Sequence, residues 1–463
     1  MTVEWSTSPP PLVLRVDRDA PDLLRDQLQD ALRDAIRDGR LVRGERLPSS
    51  RALAGELGVA RGVVTECYAQ LQAEGYLRSQ RGSATWVGDA GLPTAEAALP
   101  SVEVPPLRVD LRPGLPDLSS FPRADWARCL RDAVRDAPDA VLGYPDGAGV
   151  PELREVLAGY LRRVRNAHAR ASEVVVCAGF AQGLHLVLQA LVARGLTTLA
   201  VEDPGDRDSH AVAAGLGIRV VPVPVDADGI VVEALGEAGA VLVTPAHQSP
   251  TGVLLSARRR QELVAWARER DAAILEDDYD AEFRYGDEPV GALQGLAPDR
   301  VVLLGSVSKS LAPGLRLGWV VCPPELVRSV ADGKALADRG SPVLDQLALA
   351  WMVRSGRYDR HLRRMRVRYA QRRAVLVGAL REHAPGVRVG GLAAGFHVVA
   401  TLPPGVSEEE VIAAARERSV GLYPMSGYRT SSVAAGPQLV LGYGNVRTPA
   451  VADAILRVAD LLG

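Results

Sequence analysis

Leu24, Leu28, Leu32 and Ile36 recur every four residues through positions 21–38 (PDLLRDQLQDALRDAIRD), with charged residues between them. That spacing predicts an amphipathic helix with one apolar side, and Gly39 supplies its C-terminal stop. Pro48-Ser49-Ser50 offers a start for a short helix from Arg51 to Leu57, which Gly58 breaks. A longer helix is predicted from Ala60 to Glu74, ending at Gly75. Tyr76 to Val87 then reads as a hairpin with Arg81-Gly82-Ser83 at its turn. Three helices followed by a hairpin is the layout of a winged helix-turn-helix.

Residues 88–108 (GDAGLPTAEAALPSVEVPPLR) lose all periodicity and are rich in Pro, Ala and Gly, the composition of a semi-rigid linker. From about residue 109 the pattern changes again. Short apolar runs at Val174–Cys177, Thr198–Val201, Val241–Thr244, Ala273–Leu275, Val301–Leu304 and Gly318–Val321 alternate with amphipathic helices. Buried strands separated by helices predict an α/β domain with a mainly parallel sheet. From about 340 to 463, long Arg-rich helices mix with strands near Gly395–Ala400 and Gln438–Gly442, a smaller α+β subdomain. The expected organisation is therefore a winged-helix head over 1–87, a linker over 88–108 and an α/β domain over 109–463.

Composition adds three constraints. The 463 residues carry a net charge of −2, so nucleic-acid binding has to come from a local patch. The four cysteines are scattered with no CxxC pair, which argues against a zinc site or a disulfide framework. The N-terminus has no apolar signal core, and no apolar run approaches a bilayer span, so the chain is expected to be cytoplasmic and to have no membrane partner. Of the 54 basic side chains only Lys309 and Lys334 are lysines. A lysine inside a motif is then harder to dismiss as generic surface charge.

Residues 40–81 hold seven Arg against four Glu, a local balance of +3. Phosphate contacts need such a patch, and helix N-termini add backbone donors. Arg61 and Thr65 lie four apart near the start of the second helix of the motif, on one face able to enter a major groove. The string from Leu47 to Val87, with its LPSSRxLAxxLGVxR core, closely resembles the GntR-family winged helix-turn-helix over about residues 23 to 87. The resemblance implies double-stranded operator DNA as partner, contacted by Arg51, Arg61 and Thr65, with Arg81 and Gly82 at the wing tip.

The second chemical signal is VVLLGSVSKSLAPGLRLGW at 301–319. An amine at the end of a buried strand suits Schiff-base formation with an aldehyde. Ser306 and Ser308 can hydrogen-bond a phosphate, and Arg316 can clamp it with charge-assisted donors. The pattern resembles the cofactor-lysine region of fold-type I aminotransferases, which implies pyridoxal 5'-phosphate on Lys309. An apolar strand delivers a second cluster, EDDYD, at 276–280. By resemblance Asp277 sits under the pyridine nitrogen and keeps it protonated, with Asp278 as the alternative, and Tyr279 donates to the phenolic oxygen. Gly179, Phe180 and Ala181 form a small-residue turn opening a helix, which presents backbone N–H groups to phosphate. TPAHQSPTG at 244–252 is similar to the aminotransferase NPTG turn and places His247 near the cofactor ring. Tyr144 stands where the fold sends a tyrosine to the partner subunit's phosphate.

The full order of motifs resembles the MocR/GabR subfamily of GntR regulators, a winged helix fused to a fold-type I aminotransferase-like domain that senses rather than turns over substrate. The resemblance implies a homodimer with domain-swapped, head-to-tail arms and a small-molecule effector. The chain departs from the aminotransferase pattern at three places. Val440 stands where the arginine that holds a substrate α-carboxylate is expected, with Arg429 nearby in sequence. Asp206 follows the Glu202-Asp-Pro-Gly205 turn where a ring-stacking tyrosine is usual, leaving Phe180 or His247 to stack. Ser249 replaces the asparagine set against the cofactor oxygen. These losses favour a regulator whose effector is pyridoxal phosphate or its adduct with an amino compound, as in relatives that control vitamin B6 synthesis. The alternative is an active aminotransferase with a DNA-binding head.

Overall fold

The computed structural model describes residues 2–5, 12–18, 20–79, 84–90, 107–285, 290–430 and 436–463. The chain divides into two units, 1–104 and 105–463. In the first, strands β1 (Thr2–Trp5) and β2 (Leu12–Arg15) pair antiparallel ahead of helix α1 (Leu24–Arg37). Then come β3 (Arg46–Leu47), α2 (Ser50–Leu57), α3 (Arg61–Ala73), β4 (Leu77–Ser79) and β5 (Thr85–Val87). The apolar side of α1 (Leu28, Leu32, Ile36) packs with Leu53 and Leu57 of α2 and Val64 and Leu71 of α3 in one buried cluster. Ser49 caps α2, its hydroxyl accepting from the Ala52 N–H at 3.2 Å. The hairpin β4–β5 is antiparallel, and β3 pairs along the other edge of β5. Two-residue β3 was not anticipated, because so short a segment shows no period.

The second unit opens with β6 (Val109–Asp110), α4 (Arg123–Asp136) and α5 (Pro151–Arg165). The alternating region follows as β7 (Val174–Cys177), α6 (Phe180–Val192), β8 (Thr198–Asp203), α7 (Arg207–Gly215), β9 (Arg219–Asp226), β10 (Gly229–Ile230), β11 (Ala240–Val243), α8 (Ala257–Glu269), β12 (Ala273–Asp278), β13 (Val301–Ser306) and β14 (Gly318–Val321). The eight strands lie in the order β10-β9-β8-β11-β12-β13-β14-β7. Pairing from β9 to β13 is parallel, and β14 runs against both β13 and β7. Strands β7, β8, β11 and β13 are buried at every position. That burial on both faces explains their unbroken apolar runs.

Helices α9 (Pro324–Asp338), α10 (Val343–Arg354) and α11 (Arg357–His383) lead into the C-terminal part. There β15 (Arg388–Gly390), β16 (His397–Thr401), α12 (Glu408–Glu417), β17 (Val420–Gly421), β18 (Gln438–Gly442) and α13 (Thr448–Val458) complete the chain. An antiparallel sheet β15-β16-β18 forms its centre, and β17 pairs with β6 from the start of the unit. No described helix is long and apolar enough to cross a membrane.

Candidate functional site

The parallel strands point their C-terminal ends at one edge of the large sheet, and β7 shares their direction because β14 reverses twice. In open α/β sheets that edge is where ligands bind. A cavity of about 570 Å³ lies there. Its walls include Glu202 from β8, Asp277 from β12 with Tyr279 just past its end, Ser306, Ser308 and Lys309 from the end of β13, and Phe180 and Ala181 from the start of α6. Arg316, His210, His397, Tyr428 and Val440 complete the part that matters for the chemistry.

Burial sets the electrostatics. It pushes the Asp277 carboxyl well above the usual carboxylate range, with the charges of Asp206 and Asp278 adding to it and Lys309 opposing. Burial lowers the Lys309 amine, against the pull of Asp277, Asp280 and Asp206. Its Nζ donates to the Gly114 carbonyl at 2.6 Å. Glu202, enclosed and holding Thr244 Oγ1 at 2.5 Å and Gln248 Nε2 at 3.2 Å, is raised by burial to about 7. His397 is lowered to about 4, by burial first and then by His247.

The Asp277/Asp278 ambiguity has a geometric answer. Asp278 faces away from the cavity and forms a two-pronged ion pair with Arg165, Nε–Oδ2 at 2.8 Å and Nη2–Oδ1 at 3.0 Å, both side chains almost fully enclosed. Asp277 takes no hydrogen bond among the described residues and lines the cavity. Alternation along a strand forces this split, since successive side chains leave opposite faces.

Two glycines keep the anion end open. Gly179 adopts φ +92°, and a Cβ there would stand 3.0 Å from Arg316 Nη2. A Cβ on Gly318 would sit 2.7 Å from Gly179 Cα. Arg316 Nη2 donates to the Ala178 carbonyl, which fixes the guanidinium beside the start of α6.

Several expected positions fall elsewhere. His247 does not line the cavity. It is buried behind Tyr279, its Nδ1 2.8 Å from Asp280 Oδ2 and its carbonyl accepting from Tyr279 OH at 2.9 Å. Buried, polar and aromatic, it has stronger partners in Asp280 and Tyr279 than in the cavity. Tyr279 accordingly donates within the chain. Tyr144, expected at the partner subunit's phosphate and not in its own chain's cavity, is 93% exposed and outside this cavity's wall. Arg429 turns to Gln438, Nη2–Oε1 2.9 Å, so it does not take the place left by Val440. Asp206 does line the cavity, but its carboxylate also caps α7, accepting from the Asp208 and Ser209 N–H groups. Sequence reasoning missed His210, His397, Tyr428 and Phe396, which reach the site from α7, from β16 and its flank, and from the segment before β18. No local motif marks them.

Pyridoxal 5'-phosphate joins an aldehyde, a pyridine nitrogen and a phosphate, and the residues present fit all three. Lys309 offers an amine with lowered proton affinity, Asp277 an unpartnered carboxyl, and Ser308, Arg316 and the Gly179 turn an anion cradle that a Cβ would fill.

In the first unit Arg51, Arg61 and Thr65 are all exposed, on α2 and α3. The Thr65 hydroxyl donates to the Arg61 carbonyl at 2.9 Å. Not all of the positive patch is free. Arg43 and Arg78 both pair with Asp89, and Arg40 pairs with Asp38. Arg81 and Gly82 lie outside the described residues.

A winged-helix head together with a lysine-bearing aminotransferase-type cavity defines a class of two-part regulators. Two family models match: "Aminotransferase class I and II" over residues 117–436 and "Bacterial regulatory proteins, gntR family" over 24–87. The chain belongs to the MocR-type subfamily of GntR regulators. It is 34% identical over 442 residues to the "Probable rhizopine catabolism regulatory protein MocR" of Rhizobium meliloti, covering 89% of each chain. It is 34% identical over 412 residues to the "HTH-type pyridoxine biosynthesis transcriptional regulator PdxR" of Corynebacterium glutamicum, covering 88% of this chain and 89% of the relative. Among solved structures it is similar to LysN, the α-aminoadipate aminotransferase of Thermus thermophilus. Their TM-score is 0.69 and identity 26%, covering 76% of this chain and 92% of that one.

Proposed function

We propose that this chain is a cytoplasmic, dimeric transcription regulator that holds pyridoxal 5'-phosphate on Lys309 and uses it, or its adduct with an amino compound, as the signal that alters DNA binding. The observation that carries this is the cavity itself. Lys309, Asp277 and the anion cradle converge, while Val440 and the averted Arg429 leave no carboxylate clamp among the described wall residues.

When bound, the cofactor supplies an aldehyde carbon for amines and a ring able to draw electrons. The chain's own residues do the rest. Arg316 and Ser308 bind the phosphate and orient the group. Lys309, its proton affinity lowered by burial, presents its amine to the aldehyde. Asp277, its carboxyl held well above the usual carboxylate range by burial, would face the pyridine nitrogen with a proton to share between them. With no clamp, an amino acid lacks the contact that would align its α-carbon for turnover, which favours sensing over catalysis. The similarity to the pyridoxine-biosynthesis regulator makes control of vitamin B6 synthesis the process to test first. Residues 1–87 would read the operator and 109–463 the signal, with Tyr144 reaching the partner subunit's phosphate. Steady release of keto acid from common amino acids by the loaded protein would overturn this reading in favour of an enzyme.

A further inference from the structure

The second lysine of the chain is fully enclosed. Lys334 lies on α9 with no solvent exposure, and its Nζ is 2.6 Å from Asp338 Oδ2. The same Nζ is 3.4 Å from Gln182 Oε1 on α6. Gln182 Nε2 donates to Asp338 Oδ2 at 2.7 Å, while its Oε1 accepts from the Ala178 N–H at 2.7 Å. A cation on one side and a carboxylate on the other leave the Gln182 amide a single orientation, oxygen towards Lys334 and nitrogen towards Asp338. The peptide unit it holds leads straight into the cradle. Ala178 donates its N–H to Gln182 and offers its carbonyl to Arg316, and Gly179 follows at φ +92°.

We infer that Lys334 and Asp338 are positioning residues for the anion cradle: through Gln182 they fix the Ala178–Gly179 backbone and thereby the donors at the start of α6. The inference rests on the cofactor reading above. Neither residue lines the cavity, so both act through another group. An ordinary helix-to-helix tether would also place Lys334 opposite Asp338, but it would not require the amide of Gln182 between them and the cradle. If Lys334 is lost, Asp338 keeps its hold on Gln182 Nε2 without a counter-charge. Gln182 Oε1 then answers only to Ala178, and the cradle peptide gains freedom to turn.

The test separates the phosphate from the rest of the cofactor. The full-length protein is titrated with pyridoxal 5'-phosphate and, separately, with pyridoxal, following the absorbance that attachment to Lys309 produces. Lys334→Met is expected to weaken pyridoxal phosphate binding roughly 10- to 100-fold, the loss of well-aimed donors to a charged group, and to leave pyridoxal attachment unchanged. Asp338→Asn, at a more exposed position, is expected to act in the same direction with a smaller loss, and it carries the test should Lys334→Met fail to fold. Equal weakening of both aldehydes, or no change in either, would mean a tether only and overturns the inference. A wild-type protein that attaches neither aldehyde removes the cofactor reading and the inference with it, an outcome distinct from the other two.

Discussion

Neighbouring aspartates at the end of β12 are expected to fail in opposite ways. Asp278→Asn leaves the Arg165 guanidinium, 5% exposed, without its two-pronged carboxylate partner; the Val290 carbonyl still accepts from it, and Glu276 and Glu282 act on it through their charge alone. Removing one member of a buried ion pair costs about 3–5 kcal/mol, because the remaining charge stays desolvated and uncompensated. In the wild type the charges of Asp278, Glu276 and Glu282 together outweigh the burial that works against the Arg165 charge. A guanidinium keeps its proton in proteins even without its carboxylate, so the variant does not escape by neutralising. Asp277→Asn removes a carboxyl that takes no hydrogen bond among the described residues and sits within the field of Asp206 and Asp278. Its stability cost is expected to stay within about 1 kcal/mol. Its functional cost is expected to be large, since the pyridine nitrogen loses its carboxyl. Chemical denaturation of the apo proteins gives the first quantity, and absorbance titration with pyridoxal phosphate gives the second. An Asp278→Asn protein as stable as wild type, or an Asp277→Asn protein that retains the cofactor as wild type does, would refute the assignment.

Other substitutions probe separate parts of the account. Glu202 is protonated up to about pH 7 in the folded chain and to about 4.5 when free, so the folded state binds the extra proton between those values. Stability therefore falls as pH rises through that window, by at most about 1.4 kcal/mol per pH unit for this group. Glu202→Gln should reduce the slope of denaturation midpoint against pH without abolishing it, because Glu276 and Glu282, also raised to about 7, contribute with the same sign; an unchanged slope counts against the assignment. Arg61→Ala should weaken operator binding and lower the salt dependence of log affinity by about one unit, whereas Arg43→Ala, already paired with Asp89, should change it less. Val440→Arg places a guanidinium at the cavity wall and should raise the response of the loaded protein to common amino acids by roughly tenfold, the scale of one charge-assisted pair, read as a spectral shift on titration.

What was legible in the sequence follows from where chemistry sits on an α/β sheet. Lys309, Asp277 and the Gly179 turn each end a buried strand, so an apolar run followed by reactive residues announced them. The winged helix was equally plain, because its helices carry a strong period and clear stops at Gly39, Gly58 and Gly75. The choice between Asp277 and Asp278 was not, because it is decided by Arg165, which lies 113 residues away in sequence. His247 was misplaced for the same reason: Asp280 and Tyr279 claim it in space, and nothing in HQSPTG says so. Tyr428 enters the cavity because the segment before β18 docks on the Glu202–Gly205 turn, where Gly205 N–H donates to the Tyr428 carbonyl at 3.0 Å, and His210 comes in from α7, which that turn opens. Lys334 stood out by residue type alone, and its link to Gln182 appears only in three dimensions.

The central claim is that cofactor held on Lys309 changes how the head binds DNA. The most direct measurement is a quantitative footprint on the intergenic region beside the chain's own gene, with and without pyridoxal 5'-phosphate, for wild type and Lys309→Ala. The account predicts that the cofactor alters the affinity or extent of the wild-type footprint and leaves that of Lys309→Ala unchanged. A wild-type footprint indifferent to the cofactor, or a Lys309→Ala footprint that responds as wild type does, would contradict it.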